Sequence, residues 1–60
     1  METEVTWVVR FDHRNNHWVI ELAHGADRIR IPGSHISHQQ VMQQAQMLYR
    51  ASLIPIVELN

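Results

Sequence analysis

The chain has 60 residues, enough for one small domain, with five Lys and Arg against six Asp and Glu and a formal net charge of −1. That balance argues against attachment to nucleic acid by bulk positive charge, and the absence of cysteine excludes a disulfide framework or a thiolate metal site. No apolar run is long enough to span a bilayer, and the acidic start Met1-Glu2-Thr3-Glu4 lacks the layout of a secretion signal, so a single cytoplasmic domain over residues 1–60 is expected.

Glu4 to Asp12 reads as a strand, because Val5, Trp7, Val9 and Phe11 recur with period two while Thr6, Val8 and Arg10 point the other way. His13-Arg14-Asn15-Asn16 is a turn, since asparagine tolerates positive φ and bonds its own backbone. His17 to Ala23 returns as a second strand with Trp18, Ile20 and Leu22 on one face. After a turn at His24-Gly25-Ala26-Asp27, Arg28-Ile29-Arg30-Ile31 alternates isoleucine inward with arginine outward until Pro32-Gly33 stops it.

Ser37 and Gln40 have the spacing of a capping box, which marks a helix N-terminus. Val41, Met42, Ala45, Leu48, Tyr49 and Ser52 then recur at threes and fours, tracing one helix face directed at Trp7 and Trp18. Pro55 drives Ile54 out of helical geometry, so the helix ends near Ser52, and Ile56-Val57-Glu58-Leu59 forms a short last strand. The fold class expected is α+β: a three-stranded antiparallel meander, one helix packed on one face, and a short C-terminal strand, βββαβ. A right-handed crossover gives sheet order 3-2-1-4; the competing arrangement hands the last strand to a second chain.

The layout of Trp7-Val8-Val9-Arg10-Phe11-Asp12, a turn, and Trp18-Val19-Ile20-Glu21-Leu22 resembles HicB-type antitoxins. That resemblance implies a partial RNase H fold of βββαβ order, without nuclease activity, that acts by binding a partner toxin. Pro32-Gly33 follows the third strand here, whereas the family's Pro-Gly follows the second, and no functional residue is carried across.

Five histidines, at 13, 17, 24, 35 and 38, are spread over turns and the start of the helix without metal-ligand spacing, so neither a metal nor a cofactor is expected. The carboxylates Asp12, Glu21 and Asp27 define no cleft, and no nucleophile elbow or phosphate loop is present, so no catalysis is expected. Two surfaces remain. Arg10, Arg28 and Arg30 share the outer sheet face with Val8 and Val19, and guanidinium suits interfaces through bidentate bonds and weak hydration. On the helix, glutamines replace the usual mixed charges, and Met47 adds an apolar group beside Gln40 and Gln44. The function expected is non-catalytic binding of a partner protein by a homodimer, with Ile56, Val57 and Leu59 as the self-associating edge. The alternative is a small nucleic-acid-binding regulator using the arginine face.

Overall fold

The computed structural model describes residues 4–59; Met1 to Thr3 of the acidic start, and Asn60, lie outside the described residues. The elements follow in the order β1 (Val5–Asp12), β2 (His17–His24), β3 (Asp27–Arg30), α1 (His38–Ser52) and β4 (Ile56–Glu58). The sheet runs β3-β2-β1-β4, antiparallel across β3, β2 and β1 and parallel between β1 and β4. This is the expected βββαβ layout, with the last strand paired to β1 of the same chain.

Two different turns set the register of the meander. In the first, Asp12 Oδ1 accepts from the backbone N–H of Arg14 and Asn15, its Oδ2 accepts from Asn15 Nδ2 at 2.8 Å, and Asn16 takes a left-handed φ of 59° to close on the Asp12 carbonyl. In the second, the turn is two residues rather than four. His24 pairs directly with Asp27, and Gly25 at φ 62° occupies the first central position, where a type II′ turn requires positive φ. The third strand therefore starts at Asp27 instead of Arg28. Ile31 still donates to the Ile20 carbonyl, then Pro32, Gly33 and Ser34 bulge out before His35 pairs with Trp18.

The helix is stopped at both ends by the groups the sequence supplies. Ser37 Oγ accepts from the Gln40 N–H, and Gln40 Oε1 accepts in return from the N–H of Ile36. At the far end Leu53 adopts a left-handed φ of 61°, a conformation costing about 1 kcal/mol for a residue with a side chain, and donates to the Tyr49 carbonyl. Ser52 holds this end to the sheet. Its hydroxyl donates to the Leu48 carbonyl and accepts from Trp7 Nε1 at 2.9 Å and from the Ile54 N–H.

Trp7, Val9, Ile20, Val41 and Ala45 form the buried core between helix and sheet, with Trp18, Leu22, Ile31, Met42, Leu48, Ile54 and Ile56 packed around them. Tyr49, expected on the core side, is exposed instead. It sits at the margin of the helix's apolar arc. Phe11, Trp18 and His38 close the other end of the core by edge-to-face contacts, Trp18 lying 5.4 Å from Phe11 and 5.1 Å from His38.

Candidate protein-binding edge

The outer sheet face is built from the alternate residues of the strands. Register sets Val8 opposite Glu21 and Arg10 opposite Val19, so these four side chains form a square. Arg10 and Glu21 occupy one diagonal and join across it: Arg10 Nε donates to Glu21 Oε1 at 3.0 Å and Nη2 to Oε2 at 3.1 Å. The bidentate pair thus lies between the two valines. Arg28 Nη1 reaches Glu21 Oε1 at 3.6 Å, and Arg30 Nη2 donates to His17 Nε2 at 3.1 Å. Since Arg30 pairs with Glu21, two positions along β2 from Val19 and four from His17, its stem runs beside Val19.

This arrangement corrects the reading of Val8 and Val19 as contact residues. They are 4% and 0% exposed. The Arg10–Glu21 pair lies between them and Val57 stands beside Val8, so they are supports of the face and not part of its surface. Arg10 is likewise committed. Its hydrogen bond to Glu21, with the attraction of Glu21 and Asp12, raises its pKa further, and the same bond, followed by the charges of Arg10 and Arg28, holds the Glu21 carboxyl below the ordinary range despite burial. Asp12 is also held low, chiefly by the Asn15 side-chain amide and then by backbone N–H groups and His17. Three arginines therefore share the face with two carboxylates, a poor match to a phosphate backbone.

Of the remaining residues of the two expected surfaces, Arg28 and Arg30 lie on β3, and Gln40, Gln44 and Met47 lie on one flank of the helix. Every residue of β3 is exposed, and with β2 on one side its other side is an open edge. Because Ile31 donates to Ile20 and the ladder alternates, Asp27 and Ile29 turn their backbone groups to β2, while Arg28 and Arg30 turn theirs outward. The helix packs over β1 and β2 and stops short of this edge. Gln44 lines a groove of about 210 Å³ with Ile20, Ile31, Pro32, Gly33 and His35, and Gln40 and Met47 lie within one turn on the same flank. Gln40 spends its side-chain oxygen on the Ile36 N–H, whereas Met47 is 63% exposed.

Ile29 joins the site although alternation directs it inward. It is 64% exposed. Trp7, Leu22 and Ile29 form one cross-strand row, and the Trp7–Ser52 bond sets the last helical turn above the start of that row, leaving Ile29 past the helix. The signal in the sequence is topological: one helix cannot roof the outermost strand of a meander. The groove itself is smaller than the roughly 300–1,000 Å³ of small-molecule pockets.

The opposite edge is β4. Trp7 donates to the Pro55 carbonyl and Leu59 to the Val9 carbonyl, so Val57 turns its backbone to β1, and Ile56 and Glu58 turn theirs outward. Of the three residues expected to self-associate, Ile56 packs into the chain's own core, while Val57 and Leu59 remain 40% and 36% exposed. Glu58 is engaged, accepting from His38 Nε2 at 2.7 Å.

Among the described residues no group of three or more His, Cys, Asp or Glu side chains is placed to hold a metal ion, and no helix is long and apolar enough to cross a membrane. Comparison with known proteins finds no matching family model, curated sequence or solved structure.

Proposed function

We propose that the chain is a non-catalytic protein-binding domain that acts by occupying the surface of a partner protein, in the manner of an antitoxin or a phage-encoded inhibitor, and that it works as a homodimer. The observation that carries this reading is the open β3 edge, where outward-facing backbone groups lie together with the exposed side chains of Arg28, Ile29 and Arg30. A surface of that composition suits protein better than phosphate or a small molecule. Val57 and Leu59 beside the open β4 edge support self-association, which commonly stabilises chains of this size.

Affinity capture from the native host with the wild-type chain and with Arg28→Glu/Met47→Glu tests the binding reading. A protein held by the first and released by the second is expected. Equal capture by both, or a salt-sensitive gel shift on DNA or RNA with no protein captured, overturns it. Light scattering at micromolar concentration should give twice the chain mass for wild type and the single mass for Val57→Arg; a wild-type monomer overturns the homodimer.

A further inference from the structure

We propose that β3 receives an extended partner segment as a fifth strand, and that this segment alternates acidic with apolar residues. The proposal rests on the protein-binding reading above and names the chemistry of the partner.

The backbone comes first. Arg28 and Arg30 each turn an N–H and a carbonyl away from the sheet, a donor–acceptor row that an extended chain satisfies without side-chain specificity. The row is bounded at one end by the Gly25-Ala26 turn and at the other by the bulge through Pro32, which has no N–H to continue it. The site is therefore short.

The side chains then read both faces of the incoming strand. On the outer face Arg28 and Arg30 stand at alternate positions, as the side chains of an added strand also would. Arg28 is half exposed, and Glu21, the carboxylate nearest to it, is already held bidentately by Arg10 at shorter distances. Arg30 gives one N–H to His17, so both arginines keep donors for a carboxylate beside each of them. Asp27, the acidic residue of β3, falls on the other face. On the helix side Ile29 is 64% exposed past the helix, so the alternate residues of the added strand would lie against its apolar side chain.

The same arginines exclude a second copy as the occupant. A two-fold β3–β3 pairing centred on Arg28, Ile29 or Arg30 always places an arginine opposite an arginine, because same-face residues meet across an antiparallel pair. Self-pairing at this edge is opposed by like charge, and an acidic strand is favoured by the same field.

Titrations of the full chain with two synthetic probes decide the matter: a short peptide of alternating glutamate and valine, and its lysine–valine counterpart. The acidic peptide should bind at least about ten-fold more tightly, with the preference shrinking as salt rises. Arg28→Glu/Arg30→Glu, checked for native circular dichroism, should invert the order. Because strand addition uses one edge of the peptide, N-methylation of its alternate amides should abolish binding in one phase and leave it in the other, a readout that needs no variant protein. Equal affinity for both probes, indifference to the methylation phase, or amide protection at Ile56 and Glu58 instead of Arg28 and Arg30 overturns the proposal. Loss of these preferences alongside edge-dependent capture from the host removes strand addition alone; failure of that capture removes the broader reading.

Discussion

The two faces of the sheet reach the same degree of burial by different means. On the helix side Val9 and Val41 are closed off by apolar neighbours, with Trp7 beside them. On the outer side Val19 is equally inaccessible, yet its cover is arginine stems and an ion pair. An emptied site in a close-packed core keeps much of its cavity, whereas a cover of long charged side chains collapses or admits water. Equal inaccessibility therefore does not mean equal stabilisation.

The largest break in that comparison comes from Trp7→Ala, which removes the core's biggest buried side chain and its bond to Ser52. A loss of about 3–5 kcal/mol is expected, comparable to the whole stability of a domain this small, so the variant should show no cooperative urea transition at 25 °C. A cooperative melt close to wild type would show that the helix is not held through this residue.

A matched pair of smaller truncations sharpens the contrast. Val41→Ala on the helix side should cost about 2–3 kcal/mol and Val19→Ala on the outer side about 1 kcal/mol, because only the former leaves a dry cavity. Equal shifts of the urea midpoint in the two variants would mean that the arginine cover packs as rigidly as the core.

The smallest effect is expected from the ion pair itself. Glu21 has a folded pKa below its unfolded value of about 4.3, so as pH falls the unfolded chain takes up the proton first. Its contribution is complete above that pH and is lost as pH drops through the unfolded value toward the folded one. Glu21→Gln should therefore cost about 1 kcal/mol at pH 7, a figure reduced for the partial exposure of Arg10, and progressively less as pH falls below the unfolded value. Some acid sensitivity should survive in the variant through Asp12, whose pKa is shifted in the same direction. A cost that persists unchanged at pH 3 would assign the effect to packing over Val8 and Val19 instead.

Alternation and helical spacing were enough to place Trp7, Val9, Ile20, Val41 and Ala45 in the core and to order the strands. Ser37 and Gln40 were legible because capping chemistry is local. The sequence pattern assigns a side chain to a face and is silent on what covers that face, which is why Val8 and Val19 read as surface. The groove between Gln44 and the segment from Ile31 to His35 was hidden for a related reason. Gln44 lies on a helix flank and the segment follows the third strand, and only the packing of the helix on the sheet brings them together. Ile29 was misread as interior because period two carries no information about the width of the roof.

The bond between Trp7 and Ser52 joins residues 45 apart in sequence, and the β1–β4 ladder closes a loop of similar span. Both hairpins and the helix form from neighbouring residues, whose contacts need little loop closure, so the closing of β4 over β1 belongs at the end of folding. Until then β1 is a bare edge carrying Trp7 and Val9, open to intermolecular pairing. In stopped-flow refolding, a change in tryptophan fluorescence trailing the backbone circular dichroism would report this late closure; a single shared phase would place it earlier.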